Sequence, residues 1–397
     1  MSKRVFVIVL DSMGIGEAPD AKKFGDNGAN TLRSIRNNKY FYCPNLKKLG
    51  LFNIDGVNDS DAKNEMTRVF HPQASYARLS ELSNGKDTII GHWEIAGIVS
   101  EHPLPTYPNG FPKEFIDEFS VRTGRKILCN KHYSGTEVIK DYGKEMIDSK
   151  GLIVYTSADS VCQIAAHEDV IPIEKLYEYC EIAREMLIGE NGVGRVIARP
   201  FSGEWPYERT PNRHDFSLKP TSTTMLDCIK DAGQDVISIG KIYDIFAGVS
   251  INESNRTTDN LNGMNITLKM LDKDFKGLCF TNLVDFDMKY GHRNDVDGYA
   301  KAMSEFDKWL PKFIDGMKEE DLLIITADHG CDPGMKRSND HTREYIPMLA
   351  FGRSIKSGIN LGTRSGFCDI SATILDYLNI DKKDTSGSSF LPKISKK

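Results

Sequence analysis

No hydrophobic run in this 397-residue chain approaches the length needed to cross a bilayer. The apolar stretch nearest its start, Val5 to Leu10, is six residues and meets Asp11 directly. That is too short for the central region of a signal peptide or for a membrane span, so it reads as a buried strand and a cytoplasmic location is expected. Charge of one sign is not in large excess either. A formal net charge of -5 offers no general basic surface to nucleic acid. The eight cysteines form no C-x-x-C pair. A chain this long needs no disulfide framework, and its thiols are expected to be reduced and mostly buried. Internal repeats and low-complexity tracts are also lacking. Histidine is scarce at nine residues, so the places where it gathers carry information.

What is present is ordinary for a globular protein: 40% hydrophobic and 27% charged residues. The length suits two domains, or one domain with a large insertion. Four apolar runs read as buried strands of a mainly parallel sheet: 4–10, 236–239, 278–284 and 322–326. Three of them end in acids, namely Asp11, Asp285 with Asp287, and Asp328; the second ends in Gly240-Lys241. Helical patterns over 221–232 and 297–318 lie between strands. This alternation predicts an α/β sheet flanked by helices. Ligands gather at the carboxyl ends of such strands, so these acids could converge. The middle reads differently. Proline-rich stretches at 102–108 and 199–220 enclose a strand candidate at 151–156 and a helix at 173–187. Residues 102–219 are therefore expected to form a smaller α/β domain inserted into a core of 1–101 and 220–397.

The chemistry-bearing residues cluster after the strands. In Thr326-Ala327-Asp328-His329-Gly330 an acid and an imidazole follow a buried strand, and both can face a metal once strand alternation has ended. Taken alone, this pair could equally cap a turn. Asp285-Phe286-Asp287-Met288-Lys289-Tyr290-Gly291-His292 repeats the theme, and alone would pass for a solvated loop. His341 and Asp11 complete the set. Carboxylates and imidazoles without thiolates suit Mn²⁺ or Zn²⁺ better than Mg²⁺. Six such residues are too many for one ion with an open position, and about right for two catalytic ions bridged by a phosphate. Thr88, in Gly85-Lys86-Asp87-Thr88-Ile89-Ile90-Gly91-His92-Trp93-Glu94, sits in a glycine-flanked turn that could open a helix. Its hydroxyl could be a mere cap; beside a metal it becomes a candidate nucleophile, and a helix N-terminus would favour phosphate.

The order of Asp11, Thr88, Asp287 to His292, Asp328-His329 and His341 resembles the alkaline phosphatase superfamily. The segments at 4–16, 85–94, 195–201, 209–215, 284–294 and 326–330 bring the chain closer still to the bacterial phosphopentomutases. The resemblance spans essentially the whole chain. It implies an alkaline-phosphatase-like core with the inserted segment as a cap. One Mn²⁺ would be held by Asp11, Asp328 and His329, the other by Asp287, His292 and His341. Thr88 would carry a phosphate. Asp287 is preferred to Asp285 because it starts the Asp-Met-x-x-Gly-His pattern. Asp159, Arg195 and Lys241 would meet the sugar phosphate; Arg199, Arg209 and Arg213 could equally be packing or surface charges. Residues 89 and 90 are both isoleucine, where the family often has a polar residue near the second.

The implied activity is interconversion of ribose 1-phosphate and ribose 5-phosphate, and of their 2-deoxy equivalents, in nucleoside catabolism. A sugar bisphosphate such as glucose 1,6-bisphosphate would prime the enzyme. Small pentose phosphates are the expected partners, with no nucleic acid, membrane or obligate protein partner. Three rivals share parts of the pattern: a phosphatase or sulfatase of the superfamily, a cofactor-independent phosphoglycerate mutase, and a metal-binding protein without catalysis. The second generally uses serine as nucleophile and has a longer insertion.

Overall fold

The computed structural model describes residues 3–157 and 159–396. They form two compact units, one running to His102 and resuming at Pro220, the other spanning Pro103–Lys219.

The first unit is built on an eight-stranded sheet. Its strands are β1 (Arg4–Leu10), β2 (Ser75–Leu79), β3 (Asp235–Ile239), β4 (Glu253–Asn255), β5 (Gly277–Leu283), β6 (Asp321–Thr326), β7 (Ile346–Phe351) and β8 (Asn360–Arg364), in the spatial order β4-β3-β5-β1-β6-β7-β2-β8. Neighbours from β4 to β6 are all parallel, whereas β7 runs against both of its neighbours. Every residue of β1, β5 and β6 is buried. Parallel strands covered on both faces have no solvent side to make polar, which is why they read as continuous apolar runs.

Register decides where the acids go. Leu10 lies opposite Leu283, and Val9 opposite Thr326. Asp11, the 284–287 segment and Asp328 therefore leave the sheet at one edge. At the opposite end Arg4 pairs with its register mate Asp321 through two bonds of 2.8 and 2.7 Å, both groups buried, and also donates to the carbonyls of Leu271 and Lys273. Removing one partner of such a pair costs about 3–5 kcal/mol, because the other charge is left buried.

Two helices differ from expectation at their ends. The segment expected from 221 begins as a helix only at Met225, because Thr224 forms a capping box with Asp227. The long helix Val296–Gly316 is capped by Asp295, whose Oδ1 accepts from Gly298 N, and stops where Met317 turns extended. Strands β2, β4, β7 and β8 add to the four expected. β4 has three residues, β7 carries Pro347, and β8 has no apolar run, so none gives a strong periodic signal.

The second unit has its own sheet, ordered Ile127–His132, Leu152–Thr156, Val161–His167, Arg195–Ser202 and Glu208–Arg209, with His214–Ser217 also paired to Arg195–Ser202. Helices Lys113–Thr123, Glu137–Ser149 and Ile173–Met186 accompany it. Phe119, Val138, Val154, Ile164, Cys180 and Phe201 are among the buried residues of its separate core. All eight cysteines are free, and only Cys129 is not fully buried.

Candidate metal and phosphate site

The carboxylates at the sheet edge are held by the backbone that delivers them. Asp328 Oδ1 accepts from Ser12 N at 3.0 Å, which ties the turn after β6 to the turn after β1. His329 Nδ1 lies 2.9 Å from the carbonyl of Gly330, an acceptor, so Nδ1 carries the proton and Nε2 is left for the site. That Nε2 lies 3.2 Å from Asp328 Oδ2 and 3.5 Å from Asp11 Oδ1. The same logic applies to His292. Its Nδ1 faces the carbonyl of Asn339 at 2.7 Å, and its Nε2 lies 3.2 Å from Asp287 Oδ2. His341 Nε2 is 3.6 Å from Asp287 Oδ1. Asp285 is engaged elsewhere, accepting from Asn260 N and from the Lys289 ammonium, both at 3.0 Å.

Among the described residues two groups offer ligand atoms all within 4.8 Å of one another: Asp287, His292 and His341, and Asp11, Asp287 and His329. Asp11 Oδ1, Asp287 Oδ1, Asp328 Oδ2 and His341 Nε2 are buried without a hydrogen-bond partner. Such atoms are costly unless a further group satisfies them. Hard oxygens and imidazole nitrogens aimed at one volume fit a divalent cation.

Electrostatics agree with that fit. Burial, with the charges of Asp328 and Asp287, pushes the Asp11 carboxyl up to about 7. Burial would also raise Asp287, but His341 and His292 outweigh it and hold this carboxyl well below its ordinary range. For His329 burial favours the neutral ring, yet Asp328, Asp287 and Asp11 pull its pKa well above the usual value. The excess of buried negative charge is what a cation would relieve.

Thr88 stands beside these groups. It is the first residue of helix Thr88–Ile95, and the cap is its neighbour Asp87, whose Oδ1 accepts from Ile89 N and Ile90 N. The threonine hydroxyl is thus not used as a cap; its Oγ1 lies 3.1 Å from His329 Nε2. The helix can approach this closely because residue 91 is glycine: a Cβ there would lie 2.1 Å from the carbonyl oxygen of Asp328. Two buried charges fix the preceding loop. Glu94 accepts from the backbone N–H groups of Leu82, Ser83 and Phe367. Arg343, which pairs with Glu81, donates to the carbonyl of Gly85 at 2.5 Å. Ile89 and Ile90 are buried.

Lys241 follows β3 in the same unit, and its charge acts on Asp11. Asp159 and Arg195 belong to the second unit. Asp159 lies exposed on the turn between strands Leu152–Thr156 and Val161–His167; Arg195 opens the next strand, with Nη2 3.9 Å from Asp159 Oδ2 and Nη1 3.4 Å from Asp215 Oδ2.

The sequence matches the family described as the Metalloenzyme superfamily over residues 3–382. A phosphopentomutase of Lachnoclostridium phytofermentans is 60% identical over 396 residues, covering 100% of both chains. One of Caldanaerobacter subterraneus subsp. tengcongensis is 54% identical, covering 99% of this chain and 98% of the other. The chain belongs to the phosphopentomutase family. It is an enzyme of the isomerase class, with the alkaline-phosphatase-like α/β fold of that superfamily. A solved phosphoglycerate mutase of Leishmania mexicana is more distant, at 10% identity and a TM-score of 0.48 over 98% of this chain and 97% of the other. Among the described residues no helix is long and apolar enough to cross a membrane.

Sequence reasoning missed three buried residues here. His92 contacts Asp328, Asn282 contacts Asp11, and Arg343 braces the Thr88 loop. Asn282 had a visible signal, a lone amide inside the apolar run that ends in the acids; His92 follows Thr88 by one helical turn.

Proposed function

We propose that the enzyme interconverts ribose 1-phosphate and ribose 5-phosphate, and the 2-deoxyribose equivalents, through a phosphorylated Thr88. The observation that carries the reading is the uncapped Thr88 hydroxyl at a helix N-terminus, 3.1 Å from His329 Nε2. Identity of 60% to a phosphopentomutase over the whole chain supports the substrate class.

Asp11, Asp328 and His329 would hold one Mn²⁺, and Asp287, His292 and His341 the other. When bound, such ions neutralise charge on a transferring phosphoryl group and lower the pKa of a nearby hydroxyl. The Thr88 Oγ1–phosphorus bond breaks as a free hydroxyl of the pentose monophosphate attacks phosphorus, giving a pentose bisphosphate, and the proton of that hydroxyl passes to Thr88 Oγ1. Thr88 Oγ1 then attacks the other phosphate, and the isomeric monophosphate leaves. Thr88 reaches its phosphorylated state by the same attack on a sugar bisphosphate such as glucose 1,6-bisphosphate. Asp159 would accept from sugar hydroxyls, while Arg195 and Lys241 would bind phosphate oxygens. The substrates are small, so no nucleic acid, membrane or protein partner is needed, and the setting is nucleoside catabolism in the cytoplasm.

The test is a coupled assay of ribose 5-phosphate conversion with Mn²⁺, with and without the priming bisphosphate, on the native chain and on Thr88→Ala. The variant should lose mutase activity and phosphate incorporation while binding Mn²⁺ as before. Full isomerisation by Thr88→Ala would overturn the reading.

A further inference from the structure

One polar chain runs behind the site. Asn282, the last polar side chain of β5, is buried with His92 on the neighbouring helix. Asn282 Nδ2 lies 2.9 Å from Asp11 Oδ2 and 3.2 Å from His92 Nε2. His92 Nδ1 lies 2.8 Å from the carbonyl oxygen of Thr88, and Asp328 Oδ2 stands 3.1 Å from the same nitrogen.

The donors and acceptors have one consistent assignment. A carbonyl oxygen only accepts, so His92 Nδ1 bears a proton. In the ionised form that a bound cation requires, Asp11 only accepts, so Asn282 turns its amide nitrogen toward it. Its second N–H then points at His92 Nε2, which must present a lone pair. Asn282 Oδ1 is left buried without a partner, a cost accepted for directing both N–H groups into the chain. His92 Nδ1 thereby donates to the backbone of the residue whose hydroxyl reacts.

We infer that Asn282 and His92 are positioning residues that lock the backbone of Thr88 to the carboxylate of Asp11, with the His92 ring against Asp328. Neither touches the transferring phosphate; they set where Thr88 Oγ1 stands relative to the groups that surround it. The inference rests on the proposed role of Thr88. It assigns a purpose to a histidine which, unlike His292, His329 and His341, lies outside both ligand groups.

The test compares native protein, His92→Ala, Asn282→Ala, the double variant and His92→Asn, which keeps a donor near the Nδ1 position but cannot reach Asn282. Glucose 1,6-bisphosphate is the phosphoryl donor, and single-turnover phosphorylation of Thr88 is followed by mass spectrometry. Mn²⁺ binding is measured by calorimetry and folding by circular dichroism. Phosphorylation in His92→Ala should slow about 100-fold, the scale of a small misplacement of a reacting group. KM should stay within about threefold and two Mn²⁺ should still bind. The double variant should be no slower than the slower single one, since the two act as one unit. His92→Asn should fall between native and His92→Ala. In the native protein, long-range ¹H–¹⁵N spectra should show His92 protonated at Nδ1 and bare at Nε2. A native-like rate in His92→Ala, multiplicative losses in the double variant, or the opposite tautomer would overturn the inference. If His92→Ala does not fold, Asn282→Ala and the spectra decide alone. Failure of the native chain to become phosphorylated at Thr88 would instead remove the underlying reading.

Discussion

The two groups of prospective ligands are built differently. Asp11, Asp328 and His329 have side chains no more than 1% exposed and are set by strand ends that the sheet holds in register. His292 is 27% exposed and His341 14%, and both come from segments outside the sheet. One half of the site is therefore part of the core, and the other is a loop assembly closed over a single buried acid, Asp287. Local stability follows burial and contact density, so the second half is the part that can open without unfolding the rest.

The sharpest way to break this contrast is to remove one ligand from each half. Asp328→Asn should lower kcat/KM by about 10³-fold or more, roughly 4 kcal/mol of transition-state stabilisation, and should not be rescued by added Mn²⁺. His292→Ala should cost about 10-fold to 100-fold and recover partly at high Mn²⁺. A larger loss in His292→Ala, measured in the coupled assay, would mean that burial does not rank the two halves. Next in size is Gly91→Ala. Its methyl would meet the Asp328 carbonyl at 2.1 Å, so the Thr88 helix must move. A fall of about 100-fold in kcat is expected, with a smaller loss of stability, on the order of 1–3 kcal/mol, read by denaturant unfolding.

Chelation kinetics sharpen the comparison further. Metal release into excess chelator should show a fast phase from the exposed half and a slow phase from the buried one. A single phase would contradict the asymmetry. The smallest effect expected is on pH dependence. The folded Asp11 carboxyl sits at about 7 against an ordinary 3.8, so its stabilising proton is fully present below 3.8 and lost as pH rises through 7. Glu344, also raised to about 7 by burial, and His329 act in the same direction. Asp287 titrates below this window. Metal-free protein should therefore melt a few degrees lower at pH 8 than at pH 6, while Mn²⁺ should stabilise more at pH 8, where it competes with fewer protons. Scanning calorimetry of both forms checks this.

The parts legible in the sequence were those with a local cause. β1 was visible because a strand buried on both faces must be apolar throughout, and the acids after β1, β5 and β6 stood out because polarity returns where such strands end. β7 is an apolar run, but its Pro347 lacks the N–H that a strand interior uses and so argues against a strand. Thr88 could be named but not separated from a cap residue until Asp87 was seen to take that task. His92, Asn282 and Arg343 owe their roles to partners 190, 271 and 258 residues away, namely Asn282, Asp11 and Gly85; the lone amide of Asn282 in an apolar run marks the residue, but no local pattern names a partner at that range.

Asp287 is counted in both ligand groups. A carboxylate shared in this way makes occupancy of one position a variable in the affinity of the other. By thermodynamic reciprocity, whatever the first cation does to the second, the second does equally to the first. Metal loading should then depart from the curve of two identical, independent sites, and a change at either position should be felt at the other.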